Sequence, residues 1–116
     1  MKRKFRLRRT TDFKRVRRLG KSYAHPFVVL IKYPNDESLS RFGVTAGRSV
    51  GNAVKRNRAK RRVRELVRQR IPSIIDGWDI IFLARQSIHN ATHSELQAAI
   101  DGLLKRAGLQ NNQHVI

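Results

Sequence analysis

The sequence contains no cysteine. That absence excludes a disulfide framework, a thiolate zinc site and a thiol nucleophile. Acids are scarce as well, with eight Asp and Glu in 116 residues against 26 Lys and Arg. The eight form no motif that would predictably bring two carboxylates together, so glycosidase and two-metal nuclease chemistry have no visible support. No apolar run approaches the length of a membrane span, and the basic start is not followed by an apolar stretch. A soluble, cytoplasmic chain is the expectation.

Metal-ligating and phosphate-loop patterns are missing too. His25, His89, His93 and His114 are dispersed. His89 and His93 stand four apart but straddle an expected helix start, with no third ligand nearby. Gly43, Gly47 and Gly51 recur every four residues without the Gly-Lys-Ser/Thr that opens a phosphate-binding helix. No catalytic residue and no metal ligand is assigned.

What is abundant is positive charge, a formal net of +18. Residues 1–70 hold 23 Lys and Arg against Asp12, Asp36, Glu37 and Glu65, a net of +19. Residues 71–116 carry a net of −1. Two blocks dominate: eleven basic residues within 2–21 and nine within 55–70. A solvated surface mixes signs; a one-sided distribution marks a binding face for a polyanion.

A chain this short is one domain, residues 1–116. Residues 1–9 read as a mobile basic arm and 108–116 as a frayed polar tail. Thr10 or Thr11 caps a helix that runs to about Leu19, with Asp12 in its first turn and Gly20 ending it. Residues 27–33 (Phe-Val-Val-Leu-Ile-Lys-Tyr) and 41–46 (Arg-Phe-Gly-Val-Thr-Ala) read as strands joined as an antiparallel hairpin. A long helix is expected from Ser49 to about Ile71, stopped by Pro72. Its apolar side is Ala59, Val63, Leu66 and Val67; Arg58, Arg61, Arg62 and Arg68 lie roughly opposite. Trp78 to Ala84 is a nearly continuous apolar strand of the kind that sits centrally and parallel to a neighbour. Thr92 and Glu95 form a capping-box pattern ahead of an amphipathic helix that Gly108 stops. The expected fold class is α+β, a small α/β sandwich of three helices and one mixed sheet of about four strands, in the order α-β-β-β-α-β-α.

The chemistry concentrates in residues 51–66, Gly-Asn-Ala-Val-Lys-Arg-Asn-Arg-Ala-Lys-Arg-Arg-Val-Arg-Glu-Leu. Arginine suits structured RNA because its planar fork binds phosphate bidentately, stacks on bases and stays charged. Asn57 adds a donor and an acceptor. The run Arg56-Asn57-Arg58-x-Lys60-Arg61-x-x-Arg64-Glu65 after Gly51-Asn52-Ala53-Val54 resembles the signature of bacterial ribonuclease P protein subunits. Arg6-Leu7, Asp12-Phe13, Phe27-Val28, residues 41–44 and residues 79–85 follow that family's order, so the resemblance spans about residues 5–107.

The resemblance implies a left-handed β–α–β crossover around the Arg-rich helix. It also implies an RNA-binding subunit of an endoribonuclease holoenzyme that removes the 5′ leader of precursor tRNA. Catalysis would reside in the RNA subunit and its Mg²⁺. The protein would bind the leader, lower the Mg²⁺ requirement and pair 1:1 with the RNA. Carried over residue by residue, Arg56, Asn57, Arg58, Lys60, Arg61 and Arg64, with Arg48 ahead of the helix, face the catalytic RNA. Phe13, Arg17 and Leu30 fall at leader-binding positions, with core packing as the other role for Phe13. Arg17 and Leu30 replace aromatics found in some relatives, which shifts leader contact from stacking toward phosphate. A ribosomal or other structural RNA-binding protein shares the charge and size and is the alternative.

Overall fold

The computed structural model describes residues 1–111. The last five residues of the expected polar tail lie outside that range. The elements are α1 (Thr10–Leu19), β1 (Lys21–Ala24), β2 (Val28–Pro34), β3 (Arg41–Ala46), α2 (Ala53–Arg70), β4 (Trp78–Ala84) and α3 (His93–Arg106). They match the expected order of three helices and four strands. Single 3₁₀ turns flank them at Arg3–Phe5, Arg48–Val50, Ile71–Ser73 and Gln86–Asn90.

The sheet order is β1-β2-β4-β3, with β4 antiparallel to β2 and parallel to β3. The expected β2–β3 hairpin is therefore corrected: β4 lies between the two strands. Five of the seven β4 residues are buried and the other two partly so, so the strand needs a partner on each edge and a cover on each face. The connection after β2 is built to admit it. The Asn35 N–H donates to Gly77 O (2.9 Å), Ser40 Oγ donates to Ile75 O (2.7 Å), and the Trp78 N–H donates to Ser40 Oγ (3.0 Å). The 35–40 segment thus pairs with the approach to β4 and closes no tight turn.

Alternation divides the strands between two cores. Val28, Leu30, Phe42, Ile80, Phe82 and Ala84 pack under α2 and α3 with Val63, Leu66, Leu96, Ile100 and Leu103. On the opposite face, Ile31 and Ile81 pack with Leu7 and Val16 under α1, with Phe13, Val29 and Tyr33 partly buried beside them. The α1 layer is thin, and Gly43 lets it close. A Cβ at Gly43 would lie 2.5 Å from the Phe13 ring. Gly43→Ala is expected to push Phe13 out and cost about 1–3 kcal/mol of unfolding free energy, measured by denaturant titration; an unchanged midpoint would mean that the ring does not rest on the strand.

The arm, expected to be mobile, is also corrected for its central part. Leu7 is only 4% exposed, and its N–H donates to Phe42 O at 2.8 Å, so Arg6 and Leu7 pair with the free edge of β3. The apolar residues Phe5 and Leu7 within the basic run were the available sign. Likewise, residues 108–111 are not frayed: Leu109 is buried, and the Asn111 N–H donates to Ser73 O.

Candidate nucleic-acid interface

Helix α2 begins where its sequence provides a cap and not where apolar spacing begins. Gly51 has φ of 135°, which ends the Arg48–Val50 turn, and Asn52 Oδ1 accepts from the Lys55 N–H (3.0 Å). Ala59, Val63, Leu66 and Val67 dock on the sheet as expected. Asn57, Arg58 and Arg61 project outward and are exposed, and among the described residues none of the three has a salt-bridge or hydrogen-bond partner for its side chain. Arg56, Lys60 and Arg64, one helical row apart, are partly buried at the helix flank. Arg56 donates to Gly51 O (2.9 Å), and Arg64 faces a cavity of about 310 Å³ shared with Arg6, Arg8 and Phe13.

Not every arginine of this helix is free. Arg62 was expected on the outward face, yet it reaches sideways and donates to Ile88 O (2.9 Å) and Ala91 O (2.8 Å). Arg70 binds Asp101 of α3 through two bonds. Arg68 pairs with Glu65 on the surface. Donation from Arg68 and then from Gln69 lowers the Glu65 carboxyl from its ordinary 4.5 to about 2. A depressed carboxyl stabilises above its ordinary value and loses that contribution as pH falls through about 2. Both side chains are half exposed, so the pair contributes little to stability. A carboxyl NMR titration is expected to place the Glu65 midpoint near 2; a midpoint at the ordinary value would show the pair to be open in solution.

On the α1 face, an open cleft of about 960 Å³ runs from the C-terminal half of α1 to the sheet. Arg17 stands on one side, Ala24, His25 and Pro26 on another, and Val29 and Leu83 form an apolar floor. Residues 85–87 close the remaining side, where Gly47 and Ser49 flank the exposed Arg48. Of the expected leader contacts, Arg17 lines this cleft. Leu30 is corrected: it is wholly buried under α2 and α3, on the opposite face of the sheet. Its neighbours Val29 and Ile31 face α1, and Val29 reaches the cleft. Phe13 is partly buried in the α1 core, over Gly43, and lines the smaller Arg64 cavity. Sequence reasoning missed the cleft residues His25, Pro26, Gln86 and Ser87, none of which carries a motif.

At the other end of α1 is a charge network. Arg41 Nε and Nη2 donate to the two Asp79 oxygens at 2.9 and 2.8 Å, and Asn35 Nδ2 donates to Asp79 Oδ1 at 2.9 Å. Arg15 donates to Asp12 at 2.6 Å and stands 3.8 Å from Asp79. The hydrogen bond to Asp79 raises the Arg41 pKa above its ordinary value despite partial burial. Arg3, Lys4, Arg6, Arg8 and Arg9 surround a cavity of about 520 Å³ above this network.

Among the described residues no three His, Asp or Glu side chains come together, and Asp12 and Asp79 are engaged by arginines. These side chains do not fit a Mg²⁺ ligand set. No helix among the described residues is long and apolar enough to cross a membrane.

An outward arginine face, set next to an open basic cleft on a thin α/β sandwich, defines a small RNA-binding protein. A family model described as Ribonuclease P matches residues 1–108. The ribonuclease P protein component of Clostridium novyi is 38% identical over 113 residues, covering 96% of this chain and 100% of its own. That of a Roseiflexus species is 43% identical over 110 residues, covering 94% and 90%. The solved RNase P protein of Staphylococcus aureus superposes with a TM-score of 0.82 at 31% identity, covering 92% of this chain and 98% of its own. The chain belongs to the family of ribonuclease P protein components, subunits of the ribonuclease that processes tRNA, and it associates with the ribonuclease P RNA.

Proposed function

We propose that α2 docks on the catalytic RNA through Asn57, Arg58 and Arg61, flanked by Arg48, Arg56, Lys60 and Arg64. The cleft beside Arg17 then holds the 5′ leader of precursor tRNA. The observation that carries this is the pair of exposed guanidiniums at positions 58 and 61 without acid partners among the described residues, on a helix whose other side is the core. Cations held on a rigid helix lower the repulsion between two polyanions, and a cleft that keeps a single strand extended fixes its register. Arg17 supplies a phosphate contact there, and Val29 and Leu83 supply apolar surface for a sugar or base. Phe13, partly buried over Gly43, would have to move to serve as a stacking platform for the leader.

Mg²⁺ supplies the hydrolytic chemistry where the RNA binds it. The protein's part is to provide charge and position, in a 1:1 complex and in the cytoplasm, where precursor tRNA is made. Reconstitution with the RNA subunit tests this. At low Mg²⁺ and moderate salt, adding the protein is expected to raise kcat/KM for precursor tRNA at least about tenfold, with log K falling several units per log unit of monovalent salt. Equal cleavage with and without the protein would overturn the proposal.

A further inference from the structure

We propose that Arg62 is a positioning residue: reaching from the Arg-rich helix, it holds the turn that forms one wall of the leader cleft. This rests on the function proposed above. Arg62 belongs by sequence to the RNA-facing block, but its geometry separates it from Arg58 and Arg61. It is partly buried, and two of its donors are spent on the carbonyls of Ile88 and Ala91, at 2.9 and 2.8 Å. Those carbonyls lie at the end of the Gln86–Asn90 turn, where a backbone cap also forms between the Ala91 N–H and Ile88 O. A cation at the carbonyl end of a helical turn is favourable, and a fork bridging two such oxygens fixes the turn's orientation.

The other attachments of this segment show what the fork controls. Gln86 and Ser87, at the start of the same turn, line the cleft. Ser87 Oγ donates to Pro26 O, and the Arg85 N–H donates to Phe27 O (3.0 Å), so the wall is tied to the β1–β2 connection. His89 Nε2 bonds Val50 O (2.7 Å), which ties it to the turn preceding α2. Arg62 is the one side chain of the described α2 residues that bonds this wall. The leader's cleft is thereby fixed relative to the helix face that meets the catalytic RNA, and a strand in the cleft is held in register with the cleavage site.

A phosphate-binding arginine, a merely stabilising one and a positioning one give different results with Arg62→Met, which keeps the aliphatic stem and removes the fork. Binding to the RNA subunit is expected to keep its wild-type salt slope. For precursor tRNA with a long leader, kcat/KM should drop about tenfold through KM, with little change for a precursor whose leader is cut to one or two nucleotides. Amide exchange should accelerate at residues 86–91. A salt slope lower by about one unit would make Arg62 a phosphate contact. Equal losses on both substrates, or none, would leave it structural; either result overturns the proposal. If Arg62→Met fails to fold, Arg62→Lys, which keeps the charge but not the fork, gives the same comparison with a smaller loss. If the wild-type holoenzyme itself ignores leader length, the cleft's assignment to the leader fails, and not Arg62's place in it.

Discussion

Replacing Arg58 and Arg61 together by alanine is expected to weaken binding of the RNA subunit about sixtyfold at about 0.1 M monovalent salt. The figure follows from counterion release. Taking the value for a double-stranded helix, each phosphate neutralised contributes about 0.9 units of slope in log K against log salt, hence about 0.9 log units at that concentration. Two contacts give about 1.8, and the slope falls by about two. Near 1 M salt the variant and the wild type should converge, because that term vanishes there. Folding should be unaffected: both side chains are exposed, neither has a partner among the described residues, and alanine is the better helix former. Filter binding or calorimetry across a salt series decides it. A loss that persists at high salt would assign these residues to base or ribose contacts instead of phosphate. No loss would move the RNA-docking face elsewhere, with the arm residues around the second basic cavity as the next candidates.

The docking side of α2 was legible because Ala59, Val63, Leu66 and Val67 fall on one side of the helical wheel with Arg58 and Arg61 roughly opposite, although Arg56 and Lys60 fall beside the docking side. α3 was legible because its cap is local: the Thr92 N–H donates to Glu95 Oε1 (2.8 Å), and the Glu95 N–H donates to Thr92 Oγ1 (3.1 Å), with only neighbouring residues needed. What could not be read required contacts distant in sequence. β1 is a short polar strand at the sheet edge, paired with β2, so nothing in Lys-Ser-Tyr-Ala marks it. β2 is apolar on both faces, so alternation could not say which residues face α1 and offered no check on the leader position that the resemblance gave Leu30, which lies under α2 and α3. The wheel assigned Arg62 to solvent because it fixes the direction of Cβ only. A side chain as long as arginine can fold back along the surface to carbonyls 26 and 29 residues away.

The Arg41–Asp79 pair was equally invisible, as it joins the first residue of β3 to the second of β4 across a parallel ladder. Arg41→Met is expected to cost about 3 kcal/mol or more of unfolding free energy. Asp79 is 1% exposed and takes two of its three short hydrogen bonds from Arg41. Without them it keeps Asn35 and the more distant Arg15, too little to replace the water it gave up. Removing both charges with Arg41→Met and Asp79→Leu should recover much of that loss, because the penalty comes from the charge left behind and not from the missing bond. Alkali should not mimic the single variant: the hydrogen bond to Asp79 raises the Arg41 pKa above the ordinary guanidinium value, so the pair's contribution would fade only in stronger alkali than an ordinary arginine needs to titrate. The same change should also affect function. Arg41 lies 3.7 Å from Asp12, which with Arg15 ties α1 to this end of the sheet, and α1 carries Arg17 over the cleft at the other end. Arg41→Met should therefore weaken affinity for precursor tRNA more than for mature tRNA while the salt slope for the RNA subunit stays put. A cost below about 1 kcal/mol, the range of an exposed ion pair, would show that solvent reaches Asp79 and that the network does not anchor the helix.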